Sequence, residues 1–209
     1  MSDCYFTIAQ AAKAETKVKG SRFIGEAALV RDVAGAREYL ESVRKREYEA
    51  THHCYAYRLG VDSDIEYKYS DDGEPNGSAG KPIYDCIAGR ELTSIIVVVT
   101  RYFGGTKLGT GGLVRAYSQA ALLSLEKAGK KVNYITDSIR LTIEFSFYDQ
   151  ILKVIEKLKA KQTESDFSDK VSLTIQIRKS LTEQLVRELT DISRGTAQIE
   201  KQENARTKT

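Results

Sequence analysis

Between Lys17 and Val30 the chain carries β-branched and aromatic residues broken by Gly20 and Gly25, a pattern that predicts a hairpin or bent strand after a short lead-in. Asp32 then stands as an N-cap before Val33, Ala36, Tyr39 or Leu40, and Val43, which recur at helical spacing, while Arg37, Glu38, Glu41, Arg44 and Lys45 fill the outer side. His52 to Leu59 and Ile65 to Ser70 read as two antiparallel strands joined by the polar turn Gly60 to Asp64. Asp71 to Gly80 is too rich in turn formers for either element, and a short helix is expected from about Pro82. The unbroken run Ser94 to Val99 predicts a central strand buried on both faces. A glycine-rich stretch from Arg101 to Gly112 leads into a helix from about Leu113 to Ala128, stopped by Gly129.

Beyond Val132 the texture changes. Strand (Ser138 to Phe147), helix (Asp149 to Ala160), a short polar strand (Thr163 to Phe167), strand (Lys170 to Ile177), helix (Leu181 to Ser193) and strand (Thr196 to Lys201) follow in the order βαββαβ, the ferredoxin-like pattern. Leu141, Ile143 and Phe145 alternate with polar residues, as do Val171, Leu173, Ile175 and Ile177, so two helices should cover one face of this sheet and leave the other partly wet. The expectation is an α+β protein of two domains, residues 1–132 and 136–203, with Asn204 to Thr209 as a frayed tail.

Composition narrows the function classes. A net charge of +3 with acids and bases interspersed lacks the basic bias of a protein that coats nucleic acid, so anion binding has to come from a local patch. Cys4, Cys54 and Cys86 are odd in number and widely spaced, against a disulfide framework or a thiolate zinc site. With no basic n-region and no apolar run near the ~20 residues of a membrane span, the expected compartment is the cytoplasm, with no membrane partner.

The strand, glycine-rich loop and helix from Ile95 to Ala128 form the strongest chemical constellation, because amides in such a loop and at a helix start can converge on an anion. Arg101, Lys107 and Arg115 surround it, and Arg115, in the first helical turn, should lean back toward the loop. Candidate phosphate or RNA contacts are therefore Arg101, Gly104, Gly105, Lys107, Gly109, Gly111, Gly112 and Arg115; equally, these glycines can serve tight turns and close packing. Neither a Walker A closure nor a G-x-G-x-x-G register is present. Asp71, Asp72 and Glu74 could bind a hard cation or act as bases; a solvated turn, carboxylates capping the next helix, or an internal contact with Arg101 or Arg115 are the alternatives. His52 and His53, adjacent on a strand, point to opposite faces and cannot share a metal, and His52, on the face of Cys54, reads as a buried, hydrogen-bonded residue or part of a pocket with the acidic loop. No metal site, cofactor or catalytic residue is assigned. The many tyrosines before residue 120 could stack on unpaired bases where exposed.

Four blocks resemble the Impact/YigZ family: Ser21-Arg22-Phe23-Ile24-Gly25; His52-His53-Cys54-Tyr55-Ala56-Tyr57 with Gly60; Ser70 through Pro82; and Val97 through Tyr117. The resemblance implies a left-handed βαβ N-terminal domain, shared by a ribosomal small-subunit protein and domain IV of elongation factor G, joined to a ferredoxin-like domain similar to the last domain of that factor. It also implies a bacterial member, since the eukaryotic relatives restrain a starvation response through an added N-terminal domain. The function it suggests is a translation-associated regulatory protein that binds RNA or the ribosome, or a protein of the translation machinery. The alternatives are an enzyme acting on a small phosphorylated or nucleotide substrate, and a protein-interaction adaptor.

Overall fold

A computed structural model describes residues 3–202 and divides the chain into two compact units, one over Tyr5–Asn133 and one taking in Cys4 and the chain from Tyr134 onward. The tail expected to fray at Asn204 to Thr209 lies outside the described residues.

The first unit is built on a five-stranded sheet of β2 (Ala12–Val18), β3 (Ser21–Leu29), β4 (His52–Leu59), β5 (Glu66–Ser70) and β6 (Ile95–Tyr102), in the order β2-β3-β6-β4-β5. Each neighbouring pair is antiparallel. β6 lies in the middle because its β-branched run can be buried from both sides. Ile96 and Val98 pack with Ala36, Leu40 and Val43 of α1 (Val33–Arg46). Ile95, Val97 and Val99 pack the other way, against Ile83 and Ile87 of α2 (Gly80–Ala88) and Leu113, Tyr117 and Ala121 of α3 (Thr110–Ala128). Asp32 caps α1 as its type and position predict, accepting the Gly35 amide at 2.8 Å.

Several boundaries differ from the expectation, among them the hairpin, whose first strand starts at Ala12 rather than near Lys17. β6 runs on through Thr100, Arg101 and Tyr102, so Arg101 is a strand residue; α2 begins at Gly80, two residues before Pro82; and α3 begins at Thr110, which puts Gly111 and Gly112 in its first turn. The lead-in itself folds: β1 (Cys4–Ile8) pairs with β7 (Lys130–Tyr134) in a two-stranded ribbon. Short, polar β7 carries no strong local signal, and its partner stands at the far end of the unit's sequence.

The second unit holds β8 (Thr136–Ile143), α4 (Tyr148–Lys157), β9 (Lys161–Phe167), β10 (Val171–Arg178), α5 (Thr182–Ile192) and β11 (Gln198–Gln202). Its sheet order β11-β8-β10-β9 is the ferredoxin-like arrangement, antiparallel throughout. Ile139, Leu141, Leu173 and Ile175 meet Ile151, Val154, Leu185 and Leu189 of the helices. The opposite face carries Arg140, Thr142, Ser172, Thr174 and Gln176, alternating with the core residues.

Candidate functional site

Alternation along β6 decides what happens to Arg101. Residues 95, 97 and 99 face α2 and α3, so residue 101 must too, and a guanidinium is delivered into the edge of an apolar core. Arg101 is 5% exposed. Its cross-strand neighbours are Phe23 on β3 and His52 on β4. Its counter-charge comes from the acidic loop: Arg101 Nη1 donates to Glu74 Oε1 at 2.5 Å, and the Tyr117 hydroxyl of α3 donates to the same oxygen at 2.7 Å. His52 Nε2 stands 3.8 Å from that oxygen, while its Nδ1 donates to the Asp72 carbonyl at 2.8 Å. Arg101 also stacks near the rings of Phe23 and Phe103, at 5.5 and 5.4 Å from the centroids. Of the two readings of Arg101, a phosphate contact or an internal partner of the acids, the structure shows the second: it joins the glycine-rich segment to the acidic loop from inside.

The other two acids are consumed in the same manner. One Asp71 carboxylate accepts the amides of Gly77 at 2.9 Å, Ala79 at 2.9 Å and Gly80 at 2.8 Å, so it ties the loop and caps the start of α2. Asp72 accepts from Arg44 Nη2 at 2.9 Å and from the His53 amide at 2.6 Å. Cys54 lies below, its thiol donating to the Asp71 carbonyl at 3.0 Å. Burial pushes the thiol of Cys54 and the phenol of Tyr117 well above their ordinary values, so both stay protonated. His53 points to the α1 side, with Nε2 3.2 Å from the Glu47 carbonyl. Among the described residues no three His, Cys, Asp or Glu side chains are placed to hold a metal ion.

The glycine-rich loop after β6 behaves oppositely. Gly104 accepts no side chain: a Cβ there would sit 1.9 Å from the Gly20 carbonyl carbon, so the loop is pressed against the β2–β3 turn. Its amide donates to Ser21 Oγ at 3.1 Å. From Gly105 onward the loop is largely exposed. Gly109, with φ +69°, is the N-cap of α3 and supplies no capping side chain; the first intrahelical bond runs from the Leu113 amide to the Gly109 carbonyl at 2.9 Å. The amides of residues 110–112 therefore open on the helix start, where the dipole favours anions. Arg115 leans back as expected: a Cβ on Gly111 would lie 3.8 Å from its Nη1. Lys107 and Arg115 are exposed and have no ion-pair partner among the described residues.

The site residues thus separate into two groups. His52, Asp71, Asp72, Glu74 and Arg101 make an internal network to which Tyr117 and Cys54 belong, whereas Gly105, Lys107, Gly109, Gly111 and Arg115 are exposed and Gly112 is half-buried, close to Leu108. Tyr117 was read only as a core position; its pairing with Glu74 could have been suspected from a phenol placed on the apolar face of a long helix, which needs a buried acceptor. A groove of about 540 Å³ lies between α2 and α3, bordered by Gly77, Lys81, Cys86, Arg90, Val114 and Ser118. No helix among the described residues is long and apolar enough to cross a membrane.

The Impact N-terminal domain family matches residues 19–125, and the domain of unknown function DUF1949 matches residues 141–196. The chain is 30% identical to the IMPACT family member YvyE of Bacillus subtilis, over 97% of this chain and 93% of that protein. It is 34% identical to the IMPACT family member YigZ of Escherichia coli, over 88% and 90% of the two chains. A solved structure titled as that of a hypothetical protein superposes with a TM-score of 0.69 at 30% identity, covering 98% of this chain and all of the other. With its first-unit match centred on the two loops and the relatives matching across both units, the chain belongs to the Impact family.

Proposed function

We propose that this protein is a non-enzymatic, translation-associated regulatory protein that binds RNA or the ribosome through phosphate contacts at the start of α3. The observation that carries this is the asymmetry of the two loops: every acid of 71–74 is satisfied internally, while Lys107 and Arg115 are exposed with no ion-pair partner among the described residues, beside a helix start that no N-cap side chain closes. Membership of the Impact family, whose eukaryotic branch is tied to translational control, supports the choice of a translation-linked anion over a free metabolite.

The test is a titration against purified ribosomes and ribosomal RNA at low and near-physiological salt, with Lys107→Ala/Arg115→Ala alongside. Arg101 is left intact, because removing it strands Glu74. Binding should be salt-sensitive, and the double variant should lower the slope of log K against log salt by about 1.4–1.8, two phosphate contacts. Unchanged affinity and slope in a folded variant would remove this site.

A second reading, an enzyme acting on a small phosphorylated or nucleotide substrate, is favoured by one observation, the meeting of Glu74, Arg101, Tyr117 and His52 beside the glycine-rich segment. It predicts turnover of nucleotides or phosphomonoesters that His52→Ala abolishes. No turnover by the purified protein would dismiss it.

A further inference from the structure

The five-stranded sheet of the first unit ends on β5, which pairs with β4 on one side and, among the described residues, with no strand on the other. In an antiparallel pair alternate residues turn their amide and carbonyl toward the neighbour, so half of the polar backbone of an edge strand is left for a further strand. Edges of this kind are normally blunted by a bulge, a proline, a charge or a covering element. β5 has no proline, its pairing with β4 keeps one register from Glu66 to Ser70, and Glu66, Tyr67, Lys68 and Tyr69 are all exposed. Its one lysine is offset by a glutamate two residues away.

The two faces of β5 select what can pair with it. Tyr69 lies opposite Ala56, which belongs to the core under α2 and α3, and Lys68 lies opposite Tyr57, which packs on the α1 side. By alternation Tyr67 and Tyr69 share the first face, and Glu66 and Lys68 the second. The Tyr67 ring, 53% exposed, is stacked on Tyr84 of α2 with centroids 4.6 Å apart, and Tyr69 is tilted on the same ring at 6.0 Å. The aromatic face is therefore held in place before anything docks. Glu66 and Lys68, opposite in sign, have no ion-pair partner among the described residues.

A strand that satisfies both faces is present in the protein itself. Pairing β5 antiparallel with β5 of a second copy, about a twofold axis through Tyr67, sets Glu66 of each copy directly against Lys68 of the other and Tyr67 against Tyr67. A one-residue slip would put the tyrosines of one strand on the charged face of the other. Moving the axis to Lys68 opposes two lysines, and moving it to Tyr69 pairs Lys68 with Ser70 and leaves Glu66 past the end of the facing strand. We infer that this protein dimerises through its β5 edges in the Tyr67-centred register, joining the two five-stranded sheets into one. Dimerisation of this kind is independent of any phosphate contact at the glycine-rich loop.

The experiment is sedimentation velocity of the full-length chain over a concentration series, with Glu66→Lys, Lys68→Glu and the double variant Glu66→Lys/Lys68→Glu. The wild-type chain should pass from monomer to dimer as concentration rises, and exchange of alternate β5 amides should slow with the dimer fraction. Each single reversal sets like charges against each other twice and should weaken the dimer by roughly ten-fold. The double reversal restores opposite charges at both contacts and should recover the wild-type constant. An equimolar mixture of the two single variants should recover it too, as a heterodimer, which also shows that both are folded.

A wild-type chain that stays monomeric up to about 1 mM would overturn the inference and leave the edge to an extended segment of another protein. A dimer untouched by either single reversal assembles elsewhere on the molecule, and a mixture that fails to recover has another register; either result overturns it as well.

Discussion

The loops after β5 and after β6 sit at one end of the same sheet, both rich in glycine and charge, yet their polar groups have opposite fates. In the acidic loop, Asp71 holds three amides, Asp72 holds Arg44 and the His53 amide, and Glu74 neutralises buried Arg101. In the basic loop, Lys107 and Arg115 stand exposed at an uncapped helix start. Charge density alone does not mark a binding site; what matters is whether the charge is already spent. The acidic loop is scaffold for the basic one, because Glu74 joins β6 to α3 through Arg101 and Tyr117 and so fixes the elements on either side of the glycines.

If that contrast is correct, the largest effect follows from removing Glu74. Glu74→Ala leaves the Arg101 guanidinium buried without a counter-charge and should cost about 3–5 kcal/mol, measured by chemical denaturation; a loss under about 1 kcal/mol would mean the pair is not structural. Asp71→Ala comes next, since three amides lose a charged acceptor and α2 loses its cap; about 2–3 kcal/mol is expected, with faster amide exchange at Gly77, Ala79 and Gly80. Alkaline pH gives a smaller, graded effect. Burial raises the Cys54 and Tyr117 values, so the native state retains protons that the unfolded chain releases above about pH 8.5 and 10, and stability should fall as pH rises through that range, by about 1.4 kcal/mol per unit per group at most. Cys54→Ser should reduce the earlier part of the decline, leaving the share of Cys86, whose thiol burial also pushes up. The smallest effect belongs to Lys107→Ala/Arg115→Ala, which should leave stability within about 0.5 kcal/mol of the parent; a larger loss would show that these cations are also spent internally.

Much of this was legible in the sequence. β4 was bounded by its own pattern, α1 by its Asp32 cap, and the second unit by its βαββαβ order; its first strand, however, ends at Ile143, and Phe145, read as continuing the alternation, stands 51% exposed in a 3-10 turn. The roles within the site were less so. Arg101 was placed on a loop because the β-branched run stops at Val99, although one more step of alternation puts it on the inward face beside His52. β1 and β7 were missed because they are defined by each other rather than by local composition.

The sequence by itself determined the helices and the strands of the two main sheets, where glycine permits turns, and which family the motifs resemble, since these depend on periodicity and residue type over a few positions. Only the tertiary structure decided which charges are used up and which remain free. Arg101 and Glu74 are 27 residues apart, and their pairing arises when burial of a strand face forces a cation into the core and packing brings the one carboxylate that can satisfy it.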